Sequence, residues 1–190
     1  MPTIEQNRAP PFLAGLFCAI DLERRFLSNG KQKDFIMLDA NTAQNPALLT
    51  VGYEGTDLRR FLACLEQSGV KTLVDVRERA QSRKKGFSKT ALAEALAGIG
   101  IRYVHLRDLG DPKPGRDAAR AGDYETFRKV FTSHMDTDAA KSALSELDTL
   151  AKEDRTCILC FERCHTECHR AIVATYLKEL SPYDVVHVEV

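Results

Sequence analysis

From Leu48 onward, short apolar runs alternate with segments whose apolar residues recur at helical spacing, the pattern of parallel strands covered by helices. Leu49 to Tyr53 reads as a first strand. After Gly55 and Thr56, the residues Leu58, Phe61, Leu62 and Leu65 fall at i, i+3, i+4 and i+7, which predicts an amphipathic helix closed by Gly69. Thr72 to Arg77 reads as a second strand, Ser88 as the cap of a helix that buries Leu92, Leu96 and Ile99, and Arg102 to Leu106 as a third strand. The segment from Asp108 to Arg116 is rich in Gly and Pro, so it reads as an irregular loop, a candidate lid.

Two helical stretches follow, Asp123 to His134 and Asp138 to Lys152, the second carrying Leu144, Leu147 and Leu150. Thr156 to Phe161 is almost wholly apolar, as expected of a central strand covered on both faces. A helix from about Glu167 to Leu180, stopped by Pro182, and a last strand from Asp184 to Val190 complete the pattern. The expected fold is a three-layer α/β/α domain over 48–190 with a mostly parallel sheet of about five strands. Residues 1–47 fit this rhythm less well: Leu13 to Leu27 suggests a helix and Asp34 to Leu38 a short strand, and the whole reads as an extension packing on the domain.

Composition narrows the function classes. Lys plus Arg and Asp plus Glu each number 27, so no global basic field exists to drive nonspecific nucleic-acid binding, and anion recognition has to be local. The six cysteines are not spaced as a disulfide framework, because Cys157, Cys160, Cys164 and Cys168 crowd together while Cys18 and Cys64 stand apart. The apolar run Phe12 to Ile20 is too short to cross a bilayer and leads into charged residues, and it lacks the marks of a signal peptide. The expectation is a cytoplasmic protein with reduced thiols and no membrane partner.

Chemistry gathers where the strands end. Ligands of open parallel sheets bind outside the carboxyl ends of the strands. Those loops carry Tyr53 and Glu54, then Asp75, Arg77, Arg79, Ser82, Arg83, Lys84 and Lys85, then His105, Arg107 and Asp108, and finally Glu162 to Arg170. A Cys168 in the first turn of a helix, beside His169 and Arg170, is a candidate nucleophile or redox thiol. Glu162 suits a general acid or base, an orienting partner of His169 or Arg170, or simply the solvated end of the strand. Arg77 and Arg83 offer bidentate anion binding, and Asp75 leaves the same buried strand as Arg77. The spacing Cys-x3-Cys-His-x2-Cys-His also permits a zinc site drawn from Cys160, Cys164, His165, Cys168 and His169, although it lacks paired Cys-x2-Cys units. Against this, Cys157 and Cys160 read as small buried strand residues, and His105 and His187 as structural.

Five motifs carry a family resemblance: Val51-Gly52-Tyr53-Glu54-Gly55, Leu73-Val74-Asp75-Val76-Arg77, Ser82-Arg83 through Gly86-Phe87-Ser88, Tyr103 to Leu106 with Leu109-Gly110, and Leu159 to Glu162 followed by Cys168-His169-Arg170. In this order they resemble the uncharacterised bacterial family called domain of unknown function 488, over about residues 48–190. The resemblance implies a three-layer α/β domain and singles out Tyr53, Glu54, Asp75, Arg77, Arg83, Glu162, Cys168, His169 and Arg170. It implies no reaction. The chain departs from the family pattern at Cys164-His165, where an Asp-Pro pair is usual, and at Arg107, where Pro is frequent.

The leading expectation is an enzyme acting on a small anionic or nucleotide-like ligand. Cys168, His169, Glu162 and Asp75 would act in catalysis, and Tyr53, Glu54, Arg77, Arg83 and Arg170 would bind the ligand. The alternatives are a nucleic-acid or nucleotide binding module without catalysis, and a zinc-binding protein.

Overall fold

The apolar runs at 47–52, 72–75 and 156–160 become buried strands because helices with apolar stripes cover them, while the strands at the two sheet edges stay partly exposed. The computed structural model describes residues 45–190, all within one compact unit, Thr42–Val190. The readings of a helix at 13–27, a strand at 34–38 and an appended extension fall on residues outside this range, apart from the last three residues of that extension. The strands are β1 (Ala47–Gly52), β2 (Thr72–Asp75), β3 (Arg102–His105), β4 (Thr156–Cys160) and β5 (Asp184–Val188). The helices are α1 (Leu58–Gln67), α2 (Lys89–Ala97), α3 (Lys113–Arg120), α4 (Tyr124–Met135), α5 (Asp138–Glu153) and α6 (His169–Leu180).

The sheet order is β3-β2-β4-β1-β5, and every pairing is parallel. β4 is the middle strand and is buried along its length, as its apolar sequence predicts. From β1 to β2 to β3 the chain moves toward one edge through α1 and α2; from β3 to β4 to β5 it returns toward the other. Right-handed crossovers then require helices on opposite faces. Accordingly, Phe61 and Leu65 of α1 and Leu92 and Leu96 of α2 share a core with Leu49, Leu73 and Leu159. Phe127 and Phe131 of α4, Leu144 and Leu147 of α5, and Val173 and Leu177 of α6 pack with Val74 and Ile158 on the other side. Burying each of these large side chains contributes roughly 1.5–3 kcal/mol before chain entropy is counted.

This topology opens the site. The neighbours β2 and β4 send their chains to opposite faces, as do β4 and β1, so crevices form at the carboxyl end of the sheet centre.

Two local expectations are corrected. Ser88 occupies the N-cap position of α2 but makes no cap hydrogen bond: its Oγ accepts from the Ser82 N–H at 3.2 Å and donates to the Ser82 carbonyl at 3.1 Å, closing the 82–88 loop. The stretch predicted as a loop from Asp108 to Arg116 contains a 3-10 turn, Arg107–Leu109, and the first half of α3. Pro114 is compatible with that helix because it lies in the first turn, where no intrahelical N–H donor is needed.

Candidate functional site

Asp75, the last residue of β2, is fully buried and so requires partners. Its Oδ1 accepts from the Arg77 backbone N–H at 3.0 Å and from Arg77 Nε at 2.8 Å, and its Oδ2 accepts from Arg77 Nη2 at 2.5 Å and the Tyr103 hydroxyl at 2.6 Å. Arg77 Nη1 donates to the Tyr53 hydroxyl at 2.8 Å and to the Phe87 carbonyl at 3.0 Å. Burial opposes the Arg77 charge, yet Asp75 outweighs it and the pKa rises. The Tyr53 ring stacks on Phe87 with centroids 4.4 Å apart. Asp75 is therefore committed to holding Arg77 and Tyr103. Arg77 borders the cleft, but most of its donors are already engaged.

The second group is built where β4 ends and α6 begins. Cys160 closes β4, Glu162 follows two residues later, Cys168 stands at the N-cap of α6, and His169 begins that helix. The Glu162 Oε2 accepts from the Cys160 thiol at 2.9 Å and from the Cys168 thiol at 3.1 Å. His169 Nδ1 lies 3.6 Å from Cys160 Sγ and 3.9 Å from Cys168 Sγ. One potential ligand atom from each residue falls within 4.8 Å of all the others. On the far side of the ring, His169 Nε2 donates to the Val76 carbonyl at 2.8 Å, and Phe131 packs against the imidazole with centroids 5.2 Å apart.

Electrostatics set the character of these groups. Burial pushes both thiols up, Cys168 well above the ordinary thiol range. Burial works against the Glu162 carboxylate, but the thiol hydrogen bonds and His169 outweigh it and hold its pKa low. Burial also disfavours a charged His169, yet Cys168 and Glu162 beside it push its pKa up to about 9. The predicted low-pKa nucleophile at Cys168 is thus corrected: the residue is 2% exposed, and burial outweighs the benefit of the helix start.

Arg170 is fully buried and donates to the Glu162 and Arg163 carbonyls, fastening the loop between β4 and α6. Glu54 is exposed and accepts from the Arg163 N–H at 3.0 Å, tying the same loop to the end of β1. These two predicted ligand contacts serve the site's framework instead. Cys164 and His165 are turned away by the 3-10 turn His165–Glu167: Cys164 is exposed with its sulfur 3.0 Å from Thr166 Oγ1, and His165 stacks on His187 at 3.6 Å. Cys157 is buried in the core as expected, whereas the buried Cys160 directs its thiol into the cluster.

A cleft of about 960 Å³ lies over these groups, with Cys160, Glu162 and His169 among its lining residues. Arg77, Arg79, Arg83 and Lys84 come from the β2 loop, and Lys113, Arg116 and Arg120 from α3. Against these seven cations stand Glu78, Asp111, Asp117 and Glu162, so the lining is net positive although the chain is neutral. Glu78 is engaged by Arg116 at 2.6 Å and Asp117 by Lys113 at 2.5 Å, while Lys84 reaches the Tyr53 carbonyl at 3.1 Å. Phe161 stands on the lip at 42% exposure, edge-on to Tyr53.

Sequence reasoning missed the lining residues that α3 and the turn before it supply, Asp111, Lys113, Arg116, Asp117 and Arg120, and among them Asp111 is buried. It is 5% exposed, its Oδ1 has no hydrogen-bond partner among the described residues, and burial pushes its pKa up to about 6 against the opposing pull of His169 and Arg116. A Gly-Asp-Pro turn gave no sign of this, because only the fold carries the turn over the cluster.

Residues 57–177 match the family described as domain of unknown function DUF488. The chain belongs to this family. No curated protein and no solved structure matches it. The DUF488 match contains every member of both buried groups except Tyr53, which with Glu54 precedes it. Among the described residues no helix is long and apolar enough to cross a membrane.

Proposed function

We propose that this DUF488 protein is an enzyme acting on a small anionic, nucleotide-like ligand held in the basic cleft, with Glu162 and His169 serving proton transfer at its floor. The observation that carries the reading is the meeting of a net-positive rim and a floor of ionisable groups in one cleft at the sheet's carboxyl edge. Arg83 and Lys84 supply charge to the ligand, since neither forms an ion pair with a carboxylate among the described residues. Phe161 supplies an exposed aromatic face on which a base can stack.

Calorimetric titration with inorganic pyrophosphate and with ADP tests the binding half. Saturable binding is expected, weakened roughly tenfold by either Arg83→Ala or Lys84→Ala, the low end of a hydrogen bond to a charged partner. Absence of saturable binding to both probes would overturn it. Turnover of a nucleotide panel tests the other half: His169→Gln should abolish conversion. The exposed Phe161 also suits a strand of nucleic acid, and oligonucleotide binding with a steep salt dependence and no conversion of any nucleotide would replace the enzyme with a binding module.

A further inference from the structure

We propose that Cys160, Glu162, Cys168 and His169 form a binding site for a thiophilic divalent cation of the zinc class. This rests on the reading above for the cleft alone and revises its floor: with a cation bound, Glu162 and His169 act as its ligands in place of proton transfer, and the two readings can fail separately. A tetrahedral zinc site with metal–sulfur distances near 2.3 Å and metal–nitrogen or metal–oxygen distances near 2.0 Å has ligand–ligand edges of roughly 3.3–3.8 Å. Four of the six edges here are 2.9, 3.1, 3.6 and 3.9 Å, and all ligand atoms lie within 4.8 Å of one another. The ligand atoms are therefore already clustered at the scale of a coordination sphere.

The donor set selects the metal. Two sulfurs, one imidazole nitrogen and one carboxylate oxygen suit zinc and exclude the all-oxygen preference of magnesium or calcium. The surroundings are those that metal-binding imidazoles use. With Nε2 donating to the Val76 carbonyl at 2.8 Å, the ring presents Nδ1 to the thiols, and Phe131 fixes its plane. The loop supplying Glu162 is fastened by Arg170 at two carbonyls and by Glu54 at the Arg163 N–H, so the ligands are held without a cation having to draw them together. Cys168 lies behind the cluster while Cys160, Glu162 and His169 border the cleft, which leaves the site approachable from the ligand side.

The pattern differs from the one that cysteine spacing suggested. Cys164 and His165, the residues that made the loop look metal-binding, face away, and Glu162 completes the set.

The full chain, purified without chelator or a histidine tag, should contain close to one equivalent of zinc by elemental analysis, or take up one equivalent after reduction and reconstitution. Cobalt substitution should give thiolate-to-cobalt charge transfer with the visible bands of a tetrahedral ion. Cys168→Ser should weaken zinc binding roughly a hundredfold or more, since loss of a group one shell further out already costs 10–100-fold. Cys164→Ser, at an exposed position, should leave stoichiometry and the cobalt spectrum unchanged, and Cys168→Ser should keep a cooperative urea transition, which separates loss of a ligand from loss of the fold.

Failure of the reduced chain to take up either ion would overturn the proposal, as would equal metal loss in Cys164→Ser and Cys168→Ser. A Cys160–Cys168 disulfide found by peptide mass mapping, with no metal uptake after reduction, would replace it with a thiol pair. Pyrophosphate titration of the metal-depleted chain separates the two readings: binding that persists leaves the cleft assignment standing when the cation assignment has failed.

Discussion

At the scale of single residues, the distinction is between groups spent on one another and groups left facing the cleft. Asp75 accepts four hydrogen bonds, three from Arg77 and one from Tyr103, and both it and Arg77 are buried. A pair of this kind gives little net stability over an apolar replacement, but breaking it strands a buried charge. Asp75→Ala is therefore expected to destabilise the fold by about 3–5 kcal/mol in urea unfolding. Tyr103→Phe, which removes one hydrogen bond to the carboxylate and leaves the ion pair intact, should cost about 1.5–3 kcal/mol. Equal losses for the two variants would show that Arg77 finds solvent when Asp75 is gone. The sequence marks Asp75 and Arg77 as unusual because both leave an apolar strand together. It does not reveal that they satisfy each other, since that depends on the turn after β2 folding Arg77 back onto its neighbour. Arg170 is similar: beside Cys168 and His169 it reads as a ligand-binding group, yet its two terminal nitrogens are bound to the Glu162 and Arg163 carbonyls, with Nε buried and without a partner among the described residues.

Among the elements, the strands were the most legible, because an apolar run bounded by turns leaves few alternatives, and β1 to β5 lie within about two residues of their predicted bounds. α3 was hidden by Pro114 and Gly115. The proline occupies a first helical turn, and the glycine is needed because a Cβ there would overlap the Asp111 carboxylate, so a packing demand overrides poor helix propensity. A comparable demand falls on Gly52, the last residue of β1. It is paired with Cys160, and a Cβ at this position would overlap the carbonyl of Glu162 where the chain leaves β4. The loop carrying Glu162 can lie this close to β1 only because residue 52 has no side chain. Gly52→Ala should displace that loop. The expected outcome is a loss of a few kcal/mol in urea unfolding, within the range of core overpacking, together with at least a tenfold loss of zinc affinity. A variant of wild-type stability and affinity would mean that the loop accommodates a methyl group and that its approach to β1 does not position Glu162.

For the whole molecule, the sheet order decides which distant segments meet. β4 stands between β2 and β1, so Val76 just after β2, Tyr53 just after β1 and Cys160 at the end of β4 converge although they are far apart in sequence. This convergence explains why Cys160, Glu162, Cys168 and His169 could each be named from the sequence, while Glu162's place beside the two thiols and the α3 half of the rim could not. Strand ends can be read from apolar runs, but only the β2-β4 pairing brings the Val76 carbonyl under His169, and only the turn after β4 swings Glu162 rather than Cys164 onto the thiols. The charge pattern follows the same logic, with a neutral chain concentrating cations where the β2 loop and α3 face each other. A cation in this cluster would bind residues from β4, the following loop and α6, and through His169 would link them to β2. Since the unfolded chain cannot assemble that set, bound zinc should stabilise the fold as any ligand selective for the native state does. With zinc at about a hundred times its dissociation constant the linkage is about 2.7 kcal/mol. A domain of this size gains roughly 2–4 °C in melting temperature per kcal/mol, so chelator should lower the midpoint by roughly 5–10 °C. The same chelator should leave the midpoint of Cys168→Ser nearly unchanged, because that variant has little bound metal to lose. Identical shifts in both proteins would place the chelator's effect elsewhere than this cluster.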